Sequence, residues 1–269
     1  MNEISTELIS RYSRIFREKG DQPAWAVHKT TVPDKLLHCT IPFVGKDYAA
    51  QKKRILLYAS AENMSKDQYD PRLNDDAIAV DRHRYWFGLT AGSQFFPNVH
   101  LQPMTDGGLV IAARYLANKL GCCPADTPAA FLEQIAFGNY CKYTILSKTN
   151  VDYAGDRKKL AESHAYIRAD IETLKPDIII LPKVICRTET DFLNSIKGEA
   201  QLVPIYQINA RNINCNIFPK YASSPARTDD ITAEWIAQLG ISPKSPLTGK
   251  TKEHFPSVFP YLDDIIANL

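Results

Sequence analysis

Leu174-Lys-Pro-Asp-Ile-Ile-Ile-Leu181 is the stretch of this chain most typical of a buried strand. Its four consecutive apolar residues follow Pro176, and a proline stops the helical pattern that comes before it. A short apolar run without polar alternation is typical of a strand that is covered on both faces, as strands of parallel sheets are. The stretch therefore predicts a central parallel strand from Asp177 to Leu181.

Strands and helices alternate along the chain on both sides of this segment. The other predicted strands are Ile55 to Ala59, the apolar run that carries Phe137 and Asn139, and Leu202 to Ile208. The predicted helices are Glu3 to Lys19, Asp106 to Leu120, one that begins at Asp126 or Thr127, Asp156 to Leu174, Thr188 to Ile196, Thr228 to Leu239 and a short C-terminal helix. This alternation predicts an α/β fold, a three-layer α/β/α sandwich with a central, mainly parallel sheet.

Length and composition predict one domain with its own core. The 269 residues are 45% hydrophobic, and we interpret 1–269 as a single α/β/α domain with an N-terminal helical extension and a long loop at 60–98. With 32 basic and 30 acidic residues, the total charge does not indicate a polyanion partner. Six cysteines without C-x-x-C spacing predict reduced thiols, and no signal or membrane segment is evident, so we expect a cytoplasmic protein.

Polar residues follow the predicted strands at their carboxyl ends, where open α/β sheets bind their ligands. Amides can pair with the edge of a nucleobase, Lys and Arg can pair with phosphate, and aromatic rings can stack on a base. The long loop supplies Trp86 and Phe87 for such stacking. The polar residues are Ser60, Glu62 and Asn63 after the first strand, Asn139 and Lys142 after the second, Lys183 and Arg187 after the third, and Gln207, Asn209, Arg211 and Asn212 after the fourth. Together they predict a site for a polar ring and a phosphate.

Four of these segments, taken in order, resemble the uracil-DNA glycosylase superfamily. They are Ile55-Leu-Leu-Tyr-Ala-Ser-Ala-Glu-Asn63, Phe131 to Lys142, Leu174 to Leu181 and Pro204-Ile-Tyr-Gln-Ile-Asn209. The resemblance implies that Glu62 and Asn63 lie in a water-activating loop and that Asn139 reads the edge of the base. Lys142 matches a basic residue often found just beyond that Asn. The resemblance also implies DNA or a nucleobase as the partner, and hydrolysis of an N-glycosidic bond without a metal or another cofactor.

The chain departs from the family pattern at three places. Family members usually have a Gly-rich or Pro-containing first motif, a Gly near the end of the penultimate strand and a His after the last strand. This chain instead has Ala59-Ser-Ala-Glu-Asn-Met64, Pro182 and Tyr206-Gln-Ile-Asn-Ala-Arg-Asn212. If the chemistry is shared, then Gln207, Asn209 or Arg211 must replace the His that stabilises the departing base.

The sequence leaves three functions open. The first is a DNA N-glycosylase, the second is a protein that holds a nucleobase, nucleotide or nucleic-acid strand without cleaving it, and the third is a protein-interaction module. Each site residue also has an ordinary interpretation: Glu62 as a solvated loop acid, Asn139 as a partner of backbone groups at a strand end, and Lys142 as a surface cation. The chain lacks a G-x-S-x-G elbow, a Walker A loop and a G-x-G-x-x-G fingerprint, which disfavours serine hydrolases, triphosphatases and dinucleotide-dependent enzymes.

Overall fold

The structure, a computed structural model, describes residues 3–19, 35–37, 42–61, 106–125, 128–145, 154–206 and 257–269. Its strands are β1 (Lys35–Leu37), β2 (Phe43–Val44), β3 (Ile55–Ala61), β4 (Ala136–Cys141), β5 (Tyr143–Ile145), β6 (Ile178–Pro182) and β7 (Gln201–Ile205). Its α-helices are α1 (Glu3–Lys19), α2 (Asp106–Lys119), α3 (Pro128–Leu132), α4 (Arg157–Ala161), α5 (His164–Leu174), α6 (Lys183–Thr188), α7 (Thr190–Ile196) and α8 (Val258–Ala267). Among these helices, none has the length and apolar character needed to cross a membrane.

Five strands form one sheet in the order β2-β4-β3-β6-β7. The last four strands of this order run parallel, and β2 is an antiparallel edge strand beside β4. Strands β1 and β5 form a separate antiparallel pair. The prediction of an α/β fold with a mainly parallel sheet is therefore confirmed. The short β2 was not predicted, because two residues are too few to establish a strand period.

Both faces of the central strand β3 are covered by helices. Ile55, Leu57 and Ala59 belong to one hydrophobic cluster, together with residues of α2, α3 and α8. Leu56 and Tyr58 belong to a second cluster, together with residues of α1, α4, α5, α6 and α7. Because successive side chains of a strand point to opposite faces, each face of β3 needs its own apolar set. This explains why the segment is continuously apolar instead of alternating with polar residues.

Several predicted boundaries shift in the structure. The loop predicted to begin at Ser60 begins later, because Ser60 and Ala61 are still part of β3. The helix predicted from Asp156 to Leu174 is divided into α4 and α5. The helix predicted from Thr188 is preceded by α6, which begins directly after Pro182 ends β6. The predicted helix from Thr228 to Leu239 lies outside the described residues, as does most of the 60–98 segment.

Asp156 caps the N-terminus of α4 and makes its stability depend on pH. Its carboxylate accepts hydrogen bonds from the backbone N–H groups of Lys158 and Lys159, at 3.1 and 3.2 Å. The hydrogen bond from the Lys159 backbone, reinforced by the Lys159 side chain, holds the pKa of Asp156 below its usual range. A lowered folded pKa gives stability that is present above the unfolded pKa of about 3.9 and is lost as the pH falls through the folded value.

We therefore expect Asp156→Ala to lower the thermal unfolding temperature at neutral pH. The difference from the wild type should shrink below about pH 3.9, because the unfolded chain then binds a proton that the capping carboxylate of the folded chain still excludes. Thermal unfolding followed by circular dichroism across this range measures the difference. A difference that stays constant with pH would contradict the assignment of the cap.

Candidate functional site

The predicted site residues within the described part of the chain are Ser60, Asn139, Lys142, Lys183 and Arg187; Ser60 is still part of β3, and Lys183 and Arg187 lie in α6. The others lie outside the described residues: Glu62, Asn63, Trp86, Phe87, Gln207, Asn209, Arg211 and Asn212. The last described residue before Glu62 is Ala61, which ends β3. The structure therefore shows the surroundings of both residues that were predicted to follow the second strand, Asn139 and Lys142.

Asn139 lies inside β4 and not at its end. The backbone of β4 continues to pair with β3 beyond it, with Ala59 opposite Asn139 and Ala61 opposite Cys141. The expectation that the strand ends at Asn139 is therefore wrong, because the parallel ladder continues for two more residues. Asn139 is half-buried. By strand alternation its side chain lies on the same face of the sheet as Phe137.

Lys142 follows β4 directly and is buried, with a relative exposure of 0%. Its ammonium Nζ lies 2.8 Å from Oδ2 of Asp170, and the Asp170 side chain is equally buried. The interpretation of Lys142 as a surface cation is therefore wrong. Its contact with a DNA phosphate stays a prediction, and a phosphate would have to compete with a carboxylate already in place.

Three donors converge on the carboxylate of Asp170. Besides Lys142, the hydroxyl of Tyr12 donates to Oδ1 at 2.7 Å and the hydroxyl of Tyr58 donates to Oδ2 at 2.7 Å. The ammonium also lies 5.6 Å and 5.4 Å from the ring centroids of these tyrosines, within cation–π range. Burial raises the pKa of Asp170, whereas Lys142 and the two hydroxyls oppose that rise. The network ties α1, β3, the end of β4 and α5 together.

A second polar cluster lies around Glu189, between α6 and α7. The hydroxyl of Tyr140 donates to Oε2 of Glu189 at 3.1 Å, and Nε2 of His164 contacts the same oxygen. The imidazole of His164 stacks on the ring of Phe192, with centroids 3.5 Å apart and planes 6° from parallel. The edge-to-face contact between Tyr58 and Tyr140, at 5.5 Å, joins this cluster to the Asp170 network.

Sequence reasoning missed both clusters, although one signal was present in α5. Asp170 occupies the helical position that continues the buried stripe of Tyr166, Ile167, Ile171 and Leu174. An acidic residue on an apolar stripe is rarely buried without a partner, so its position alone indicated a buried cation or hydroxyl nearby. The partner itself was not evident, because Lys142 lies on another element.

The functional groups of the described residues include amides, carboxylates, hydroxyls, thiols, ammonium and guanidinium groups and one imidazole. They include no group of three or more His, Cys, Asp or Glu side chains arranged to hold a metal ion. Comparisons with protein-family models, with curated proteins and with solved structures found no match. Function is therefore inferred from the sheet topology and from the polar residues at its carboxyl edge.

Proposed function

We propose that the chain is a uracil-DNA-glycosylase-like protein that recognises a nucleobase in DNA and hydrolyses its N-glycosidic bond. The observation that carries the proposal is the pairing of β3 with β4. Asn139 lies in β4 opposite Ala59, and two residues further along β3 the strand ends at Ala61. Glu62 is the next residue of the chain. The pairing supports a site in which an amide and a carboxylate meet at one edge of a parallel sheet.

The order of the parallel strands supports a ligand crevice at that edge. After β3, the chain forms β4 on one side of it and then crosses to form β6 on the other side. The connections that leave the neighbouring strands β3 and β6 therefore run in opposite directions across the sheet, one toward β4 and the other toward β7. α/β sheets bind ligands outside the carboxyl ends of the strands at such a switch point. The two hydrophobic clusters on opposite faces of β3 support a three-layer α/β/α arrangement around the crevice.

The reaction needs a flipped nucleotide, a positioned water and a stabilised leaving base. In the proposed site, Trp86 or Phe87 stacks on the flipped base and Asn139 pairs with its edge. Glu62, assisted by Asn63, orients the water. The water oxygen bonds to the anomeric carbon of the sugar while the N-glycosidic bond breaks and its electron pair leaves with the base. The water loses one proton to the carboxylate of Glu62, and the departing base takes up one proton, so that the sugar hydroxyl and the free base are the products. Asn209 or Arg211 stabilises the negative charge on that base.

A single-turnover cleavage assay tests the proposal. Single- and double-stranded oligonucleotides with uracil or another damaged base are incubated with the full chain, and abasic sites are detected by alkali. Glu62→Gln should slow cleavage by roughly 10²–10⁴-fold, the usual contribution of a general acid or base. Asn139→Ala should slow it by roughly 10–100-fold, equivalent to the ~1–3 kcal/mol of a bidentate contact between an amide and a base.

Matched controls come from exposed residues of the same types. Glu199→Gln and Asn194→Ala change residues on the outside of the structure, so both variants should cleave at the wild-type rate. Equal rates for the wild type and Glu62→Gln would remove Glu62 from the mechanism. Unchanged base-dependent binding by a folded Asn139→Ala protein would likewise remove Asn139 from base recognition.

A binding protein of the same architecture is the second candidate. The observation that favours it is the segment Tyr206 to Asn212, which has no His to stabilise a departing base. This candidate predicts no cleavage but oligonucleotide affinity that falls steeply with salt, because the release of cations from the phosphates favours binding and this gain becomes smaller as the salt concentration rises. Loss of both cleavage and salt-dependent binding would favour the third candidate, the protein-interaction module.

A further inference from the structure

Two short helices at the carboxyl edge of the sheet carry a concentration of positive charge. Helices α4 and α6 contain five basic residues and no acidic one, whereas the whole chain has a formal net charge of +2. The basic residues are Arg157, Lys158 and Lys159 in α4 and Lys183 and Arg187 in α6, and all five are exposed. Positive charge is therefore concentrated here, and the remainder of the chain has a net negative charge.

The two helices form one surface because they pack together. Nε of Arg157 donates to the backbone oxygen of Thr188 at 3.3 Å, which joins the start of α4 to the end of α6. Leu160 of α4 and Ile185 of α6 are fully buried in the same hydrophobic cluster. The basic residues of both helices are therefore fixed on one side of the domain, and together they form the α4–α6 surface.

Most of the positive charge of the α4–α6 surface is not neutralised by the protein. Lys159 lies 3.2 Å from a carboxylate oxygen of Asp156, but the other four cations form no ion pair with any residue that the structure describes. Glu189, which directly follows α6, is buried and accepts a hydrogen bond from Tyr140. A lysine or arginine without a carboxylate partner can give its charge to an anionic ligand.

The α4–α6 surface adjoins the proposed crevice. Helix α6 begins at Lys183, directly after Pro182 ends β6, and β6 is one of the two strands at the switch point. Nζ of Lys183 lies 4.6 Å from the ring centroid of Tyr206, which follows the carboxyl end of β7. This cation–π contact holds the ammonium group at the edge of the sheet. Arg187 lies four residues further on and therefore on the same face of α6 as Lys183.

Phosphate groups are the anions that fit this arrangement. Arginine can pair with two phosphate oxygens at once, and lysine binds phosphate as a point charge. Such contacts fix the position of a nucleic-acid strand and do not read its bases. Lys142 is paired with Asp170 in the core, so exposed cations beside the crevice are better placed to contact a backbone that lies outside it.

We propose that the α4–α6 surface binds the phosphate backbone of the DNA strand whose nucleotide enters the crevice. This inference rests on the proposed function for the choice of DNA as the partner, but it does not require cleavage. Lys183 binds the phosphate nearest the crevice. Arg187, Arg157 and Lys158 bind phosphates further along the same strand.

The salt dependence of DNA binding tests this surface. Fluorescence anisotropy of a labelled, undamaged duplex is measured with the full chain between about 50 and 200 mM salt. Each cation that neutralises a phosphate contributes about −0.9 to the slope of log affinity against log salt concentration. Four such contacts give a slope of roughly −3.6 or steeper, which corresponds to a loss of affinity of roughly 100-fold over this range.

Two double variants should each make this slope less steep by about 2, because each removes two phosphate contacts. They are Lys183→Gln with Arg187→Gln in α6 and Arg157→Gln with Lys158→Gln in α4. The matched control is Lys46→Gln with Lys52→Gln, which changes two exposed lysines at the amino edge of the sheet. The control should keep the wild-type slope, and all three proteins should have the circular dichroism spectrum of the folded wild type.

The outcomes separate this surface from the glycosylase activity, because the duplex contains no damaged base. A reduced slope in both α4 and α6 variants of a chain that cleaves no damaged DNA would support the surface and contradict the glycosylase. Cleavage by the wild type, together with unchanged slopes in both variants, would support the glycosylase and overturn the surface. An equal reduction in the control would also overturn it, because lysines at any position would then contribute.

Discussion

Lys142→Met is expected to lower the free energy of unfolding by about 3–5 kcal/mol, the usual cost of leaving one member of a buried ion pair without its partner. In the wild type, Lys142 and Asp170 are both fully buried and 2.8 Å apart. Methionine preserves most of the side-chain volume, so the variant removes the charge without opening a large cavity. The hydroxyls of Tyr12 and Tyr58 still donate to Asp170, but two neutral donors do not balance a buried negative charge.

Urea denaturation followed by tyrosine and tryptophan fluorescence measures this loss. The control is Arg11→Met, which breaks an ion pair with Glu172 whose side chains are 34% and 47% exposed. An exposed pair of this kind contributes about 0–1 kcal/mol, so Arg11→Met should be nearly neutral. The double variant Lys142→Met, Asp170→Asn should recover part of the loss, because it removes the uncompensated charge. A loss below about 1 kcal/mol in Lys142→Met would show that the pair is not buried in solution.

Gly45→Ala is expected to destabilise the protein by about 3 kcal/mol, at the upper end of the usual cost of overpacking. A Cβ at Gly45 would lie 2.2 Å from the backbone oxygen of Glu133 and 2.6 Å from that of Leu132. These atoms belong to backbone and cannot rotate away as a side chain could. The two segments of the chain would have to move apart at the hydrogen bond from the Gly45 N–H to the Ile135 carbonyl, which is 2.9 Å long. This bond lies next to the pairing of β2 with β4.

Gly155→Ala is the matched control for this prediction. A Cβ at Gly155 would meet only Cγ2 of Val184, at 3.9 Å, which is ordinary van der Waals contact. Thermal and urea unfolding should therefore give a neutral or slightly stabilised Gly155→Ala protein, since alanine reduces the freedom of the unfolded chain. Equal stabilities for the two variants would mean that β2 does not pack against the Leu132–Glu133 backbone.

The central strands could be predicted from sequence because their pattern is local. Two predicted strands are apolar on both faces, Ile55 to Ala59 and Ile178 to Leu181. A strand that is buried on both faces consists of a nearly continuous run of apolar residues, and such a run can be recognised in the sequence. The bounds of α1 were also predicted, because apolar residues recur at helical spacing along one face of this segment. By contrast, β2 has two residues, and its pairing with β4 depends on a partner more than 90 residues away in the chain.

The site was predicted less completely, for a different reason. The residue at which a strand ends depends on which backbone groups form hydrogen bonds with a neighbouring strand. The continuation of β4 past Asn139 could therefore be predicted only with knowledge of β3. The buried state of Lys142 depended on Asp170 in another element, and a lysine offers no local sign of such a partner. A local sequence pattern predicts where a strand lies. Whether a charged side chain is buried or exposed depends on residues that are distant in the chain.

The strand order also affects how the chain is made. The central strand β3 leaves the ribosome before both of its neighbours, because Ile55 pairs with Ile178 on one side and Leu57 pairs with Phe137 on the other. At roughly 5–20 residues per second, synthesis of the roughly 120 residues that separate β3 from β6 takes about 6–24 s. During that time the edge of β3 that pairs with β6 has no native partner. During those seconds, chaperones or transient collapse of the chain must protect this edge from aggregation. The order of the strands along the chain therefore carries a risk of aggregation during translation.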